Sequence, residues 1–582
     1  MSAGKESSAS GSVEDKEHSG SRRRRRGLVI GLLVVVVAVL LVILVPVGVL
    51  VIGRKHGPSS TATGDSTPTS GATNGGFTSA GSTSAVSTNP IGYGGKFQVP
   101  PSAKGTRLDP ATWYDRRDFN LTYTNQTSGG LPVMGLNATW DDSARANPTV
   151  PALNEPWDYD RRPMRGVNLG GWLVLEPFIT PSFFSSYPFR DGIVDEYTLS
   201  KKLGSNATSF LETHYSGFVE ESTFAEIAAA GLDHVRIPYP YWAVAPNTTL
   251  PYVPYVSWRY LLRSIEWARK YGLRVNLDLH TVPGGQNGWN HSGRQGVIQW
   301  LLGTTGEYNG NLTLAIHKQL SIFFSQPRYK NVIQLYGLVN EPNMMVLQPT
   351  TVIDWTKQAY EVVRSNGFTK TIVFGEGFYG LSSWVGIFPN ATYPGMMMDA
   401  HQYLIFNAGQ IAQSHTGKLQ FACSGWATQI NMSMSPATGF GPTMVGEWGN
   451  ADTDCALYLN NVGTGSRWMG DFEPDPSKPA TAVLTQSCPQ PGSCVCDPAN
   501  AAPSNYTAAY RNFLLSFAEA QMETFEFGRG FYFWTWDTEN ATQWSYKKGR
   551  GAGILPQTAY RRNFTCAQAV PDYHSLGLPE TF

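Results

Sequence analysis

Two glutamates stand where apolar runs give out: Glu341 ends LYGLVNE ahead of Pro342, and Glu447 sits inside TMVGEWG. Desolvating a carboxylate at the edge of a core is costly unless something compensates, so the placement asks for a purpose. Two carboxyls of different proton affinity can divide labour at an acetal. One protonates the departing oxygen while the other meets the oxocarbenium-like carbon from the opposite side. Other polar and aromatic residues end comparable runs: Arg236, Asp278 with His280, Asn340 beside Glu341, His401 with Tyr403, and Trp534 with Trp536. Taken singly, Glu341 could be a turn or cap residue, Glu447 an ion-pair partner, and either histidine a satisfied core residue. Taken together they read as one constellation, provided the fold gathers the run ends.

The runs themselves say how. From about residue 161 the sequence offers eight short apolar stretches: MRGVNL from 164, HVRIP from 234, RVNLDLH from 274, VIQLYGLVN from 332, TIVFGEG from 371, MMMDAHQY from 396, TMVGEWG from 443 and GFYFWTW from 530. Between some of them lie segments with apolar residues at helical spacing that stop at glycine, such as FVEESTFAEIAAAG and YVSWRYLLRSIEWARKYG. Nearly continuous apolar strands alternating with helices imply a parallel sheet covered on both faces, and eight units fit an α/β fold of the closed (β/α)8 TIM-barrel type over residues 161–582. In that fold the C-terminal strand ends share one mouth, where polar residues do chemistry. A doubly wound open sheet is the competing architecture, but no G-x-G-x-x-G follows a strand.

Composition narrows the partners. Lys plus Arg and Asp plus Glu number 44 each, so no net field favours nucleic acid, whereas 17 Trp and 12% aromatic residues suit flat ring faces. Residues 1–27 read as a disordered tail that ends in Arg22–Arg26, followed by an uncharged apolar stretch, 28–52, long enough to cross a bilayer as an uncleaved signal anchor. The arginines predict that the tail stays cytosolic, giving a single-pass type II protein of the cell membrane whose catalytic domain lies outside. Twelve Asn-x-Ser/Thr sequons and all six Cys follow that stretch, in keeping with an oxidising compartment. The CxC of Cys494 and Cys496 reads as disulfide-forming rather than metal-binding. Residues 53–95 form a Ser/Thr/Gly-rich linker, and 96–160 an irregular extension packed on the barrel.

RGVNLGGWLVLEPFITP, HVRIPYPYW, DLHTVPGGQNG, NEP, DAHQY, GEWGNADTDC and FWTWDTEN, in this order over about 161–566, together resemble the fungal exo-β-1,3-glucanases of glycoside hydrolase family 5, and the apolar stretch and linker resemble their membrane-anchored members. The resemblance implies a retaining double displacement that releases glucose from chain ends of β-1,3-glucan facing the cell wall, with Glu341 as acid/base and Glu447 as nucleophile. It implies that Arg236 holds the nucleophile, that Asn340, His280, His401 and Tyr403 bond the sugar or orient the carboxylates, that Glu176 binds hydroxyls of the terminal glucose, and that Trp534 floors that sugar. An arginine beside Glu447 would keep it ionised, while Glu341 must hold its proton in the free enzyme. Phe406 and Trp289 take the places of an aromatic clamp at the mouth, Trp289 where the family often has Phe, and His291 stands where it often has Asn. A segment at 470–503 is longer than usual. No metal-ligand cluster such as H-E-x-x-H appears, so neither metal nor other cofactor is expected, and the chain is expected to act as a monomer. A β-1,6-glucanase or a transglycosylase would use the same two carboxylates; a tethered glucan-binding protein would not need them.

Overall fold

The computed structural model describes residues 123–134, 140–475 and 477–580. The tail, apolar stretch and linker expected over 1–95, and residues 96–122 of the extension, lie outside the described residues. Among the described residues no helix is long and apolar enough to cross a membrane.

A two-stranded antiparallel hairpin, β1 (Tyr123–Ser128) and β2 (Leu131–Met134), comes first, turning at Gly129 and Gly130. Eight strands then close into a barrel: β3 (Met164–Asn168), β4 (His234–Pro240), β5 (Arg274–Thr281), β6 (Ile333–Gly337), β7 (Thr371–Gly375), β8 (Met396–Gln402), β9 (Thr443–Trp448) and β10 (Gly530–Phe533). Each pairs in parallel with its neighbours in sequence, and β10 closes the ring against β3. All eight apolar runs form strands, because a strand covered on both sides must be apolar on both sides. The fourth is shorter than its run, ending at Gly337, so Asn340 and Glu341 stand on the loop beyond it.

The barrel interior is filled from alternate positions by Met164, Leu335, Val373, Met397, Met444 and Tyr532. Gly166 makes room for one of them, since a Cβ there would lie 2.3 Å from the Tyr532 ring. A larger apolar layer joins strands to surrounding helices such as Val256–Lys270, Gly306–Phe324, Pro349–Ser365 and Ala508–Phe525. Val256–Lys270 stops at Gly272, whose φ of +69° brings the chain round against the Arg145 backbone. Between β7 and β8 a 3-10 turn, Leu381–Trp384, replaces an α-helix. Residues 140–160 have no regular structure and lie at the N-terminal end of the barrel: Arg269 pairs with Asp142, Arg274 donates to the Ala152 carbonyl at 2.7 Å, and Trp157 packs under the Arg274 guanidinium. All six Cys are bonded, as Cys423–Cys566, Cys455–Cys496 and Cys488–Cys494, so the two cysteines of the CxC take separate partners.

Candidate active site

A buried guanidinium organises the floor of the barrel mouth. Arg236, from β4, donates to Asn168 at 2.9 Å and to Glu447 Oε1 at 2.8 Å through Nη1, and to Asn340 at 2.8 Å through Nη2; Asp278 and Asp399 stand 3.2 and 3.6 Å away. Three anionic neighbours from β5, β8 and β9 hold this cation firmly protonated despite burial. Asn168 and Asp399 were not among the residues singled out in the sequence. Asp399 stood in view inside MMMDAHQY, but nothing in a linear reading says it points inward.

Glu447 ends β9. Its other oxygen accepts from the Tyr403 hydroxyl at 3.1 Å. The β8–β9 ladder slips between Ala400 and His401, which sets His401 opposite Glu447; such slips re-aim side chains beside active sites. His401 Nδ1 is 2.7 Å from Glu341 Oε1 and 3.4 Å from Glu447 Oε2, so one imidazole spans both carboxyls. Glu341 itself has φ of +44°, a left-handed conformation that costs a non-glycine residue about 1–3 kcal/mol and persists only where surroundings enforce it. Gly375 helps to enforce it, passing close under Pro342 and the Glu341 nitrogen.

An oxygen of Glu341 and an oxygen of Glu447 lie within 4.8 Å of each other, with a His401 nitrogen within the same distance of both. Such a triad could ligate a cation, but the guanidinium bonded to Glu447 already supplies positive charge there. Burial and the charge of Glu341 raise the Glu447 carboxyl against the pull of His401 and Arg236. Burial also works to raise Glu341, but the His401 hydrogen bond and the neighbouring imidazoles outweigh it and bring that carboxyl to about 2. His401 is held well above the ordinary imidazole range, burial notwithstanding, by Glu447 and Asp399. The sequence reading puts the proton on Glu341, and the 2.7 Å hydrogen bond between Glu341 and His401 joins that carboxyl to a second group able to hold it. A proton shared along that bond serves the same pair, because coupled groups titrate together.

Around these groups opens a cavity of about 500 Å3. Glu176, His280, Trp289, Phe406 and Trp534 all line it, joining Glu341, His401, Tyr403 and Glu447. Trp534 stacks on His280 at 5.5 Å between ring centroids, and His280 Nδ1 is tied to Asp278 at 2.7 Å. Glu176 is half-buried, its Oε2 enclosed and unpartnered, and desolvation together with the charges of Glu447 and Glu341 pushes its carboxyl well above the usual range. Trp536 does not reach the cavity; it packs on Tyr546. Phe378, Asn460, Asn461, Arg467 and Phe472 complete the wall, none of them picked out in the sequence, because they lie on loops without periodicity. Phe472 shows that the 470–503 segment reaches the rim. Asn290, a sequon residue, is buried at the wall with its amide nitrogen donated to Asn461 at 2.7 Å.

Residues 200–469 match the model of a known family, Cellulase (glycosyl hydrolase family 5). The chain is 55% identical over 481 residues to "Probable glucan 1,3-beta-glucosidase D" of Aspergillus fumigatus, covering 82% of this chain and 57% of that protein. It is 48% identical over 537 residues to the like-named protein of Aspergillus niger, covering 92% and 61%. The chain thus spans about three-fifths of the length of these curated relatives. Among solved structures, rutinosidase from Aspergillus niger superposes with a TM-score of 0.52 at 20% identity over 69% of this chain and 99% of that one, a likeness of fold alone.

Proposed function

We propose that this chain is a retaining glycoside hydrolase that removes glucose from the non-reducing ends of β-1,3-glucan. The observation that carries the reading is the carboxyl pair, with oxygens within 4.8 Å over a common cavity. Retaining enzymes hold their carboxyls about 5–5.5 Å apart, whereas inverting ones need about 6.5–9.5 Å to admit a water. The substrate class follows the names of the relatives and the motifs, and Glu176 and Trp534, which line the cavity with the carboxyl pair, suit a terminal sugar.

In this reading Glu447, steadied by Arg236 and Tyr403, attacks the anomeric carbon as Glu341 passes the proton it shares with His401 to the glycosidic oxygen. The C1–O bond breaks, its electron pair leaves with the departing sugar, and a glucosyl ester forms on Glu447. Glu341, now ionised, takes a proton from water as the water oxygen bonds C1; the C1–O bond to Glu447 breaks, its electron pair returns to that carboxylate, and glucose is freed with its β-configuration retained. The chain acts alone, as a type II cell-membrane protein anchored by residues 28–52, with the barrel on the cell-wall side. The apolar stretch, the arginines before it and three disulfides support that placement, as do eight exposed sequon asparagines among the nine whose side chains are described.

Digestion of laminarin followed by chain length and anomer tests the reading. Glucose released as the β-anomer from chain ends supports it; α-anomer, or oligomers from internal cuts, overturns it. With a 2-deoxy-2-fluoroglucoside the ester should accumulate on Glu447, and a label elsewhere would reject that residue as nucleophile.

A further inference from the structure

Glu341 has an imidazole at each oxygen. His401 takes Oε1, and on the other side His291 Nε2 stands 3.3 Å from Oε2. With Oε1 tied down, the orientation of the carboxyl plane is decided at Oε2, so the group facing Oε2 governs where the acid points. His291 is built to be immobile. It sits in the 3-10 turn Asn290–Ser292, where the Asn290 amide is bonded to Asn461 at 2.7 Å and the Ser292 hydroxyl to the Trp289 carbonyl at 2.8 Å. Its ring is flanked by His280 and Trp289 at 5.3 and 5.6 Å between centroids. The charged and titratable groups around it are Glu341, His280, His401 and Asp278. Its Nδ1 is enclosed without a hydrogen-bonding partner, which leaves Nε2 to carry the ring proton toward the carboxylate. Contacts of this length in an empty site tighten when substrate binds.

We propose that His291 is a positioning residue for the acid/base Glu341, fixing the rotation of its carboxyl and opposing the negative charge that appears there when the proton leaves. The inference rests on the glycosidase reading. In the first step the proton passes from Glu341 to the glycosidic oxygen, the electron pair of the C1–O bond goes with that oxygen, and a Glu447 oxygen bonds C1. Glu341 ends as a carboxylate facing the His291 N–H. That stabilisation grows as the proton leaves the carboxyl for the glycosidic oxygen, so it favours proton transfer more than binding.

Leaving-group dependence tests this. His291→Ala, His291→Asn and His291→Gln are compared with wild type on 2,4-dinitrophenyl, 4-nitrophenyl and phenyl β-D-glucosides, whose leaving groups need progressively more protonation. Rates are expressed per site labelled by the 2-deoxy-2-fluoroglucoside, so that only folded molecules count. Ala and Asn should lose on the order of 10- to 100-fold on the phenyl glucoside, the scale of a misplaced catalytic group, and far less on the dinitrophenyl one. Gln, whose amide reaches the Nε2 position, should recover most of the loss, whereas the shorter Asn should not. An equal fall on all three substrates, no fall, or rescue by Asn as good as by Gln would overturn the role. Wild-type protein that neither hydrolyses these glucosides nor labels Glu447 would instead remove the glycosidase reading beneath it.

Discussion

Gly446, immediately before the proposed nucleophile, offers a way to move the catalytic groups without touching any of them. A Cβ at this position would lie 1.9 Å from Asp399 Oδ1 and 2.4 Å from its Cγ. Ordinary contact begins at 3.4 Å, so the Asp399 carboxyl must retreat by roughly 1.5 Å. It is buried, 3.6 Å from both Arg236 Nη2 and His401 Nε2. Those two groups in turn hold Glu447 at 2.8 Å and Glu341 at 2.7 Å. A displacement of about 1 Å at a catalytic group costs on the order of 100-fold in rate, so Gly446→Ala should lose at least that factor in kcat/KM on 4-nitrophenyl β-D-glucoside. Overpacking costs about 1–3 kcal/mol, which should lower the melting temperature by only a few degrees in a domain of this size. Gly310→Ala is the control: its Cβ would meet Leu301 Cδ2 at 2.5 Å, outside the charged network, and should leave the rate within a few-fold. A Gly446→Ala protein with near-normal kcat/KM would refute the idea that Asp399 positions the pair through Arg236 and His401.

Three further outcomes follow from the structure. His415 is raised above its ordinary range, against burial, by Asp452 and Glu580; a raised imidazole stabilises the fold below its unfolded pKa of about 6.5 and loses that contribution as pH climbs through the folded value. His415→Gln should therefore lower the melting temperature more at pH 5 than at pH 9, and an equal loss at both would show that only packing was removed. The Cys423–Cys566 bond closes 143 residues, for which the chain-entropy relation gives about 5 kcal/mol, so Cys423→Ser with Cys566→Ser should unfold at markedly lower denaturant concentration, with a larger m-value because the uncrosslinked denatured chain is more expanded. Glycopeptide mass spectrometry should find Asn290 unmodified, since its side chain is buried and bonded to Asn461, while exposed Asn206, Asn247 and Asn431 carry glycan; occupancy at Asn290 would mean that the rim loop is placed differently.

The barrel was legible because each parallel strand is a largely apolar word, and the site was legible where a polar residue stands near the close of such a word, as at His280, His401 and Glu447. What could not be read depended on approach in space. Asn168 reaches Arg236 across 68 positions and Gly446 across 278, and no local pattern announces either contact. The β1–β2 hairpin escaped notice because YTNQTS does not alternate apolar and polar residues, although the Gly129–Gly130 pair was an available turn signal. The position of His401 between the two carboxyls likewise depends on a slip in the β8–β9 ladder that no local pattern announces.

The wall residues Asn460, Asn461, Arg467, Phe472 and Pro474 all fall between Cys455 and Cys496, whose Cα atoms are clamped 5.4 Å apart. Whatever is inserted, deleted or exchanged between these two points, the crosslink returns the chain to the same place, so remodelling there need not propagate into β9 or β10. On the glycosidase reading, the two carboxyls are cast into the barrel floor while part of the wall facing them rides on a clamped segment that can vary without disturbing the floor.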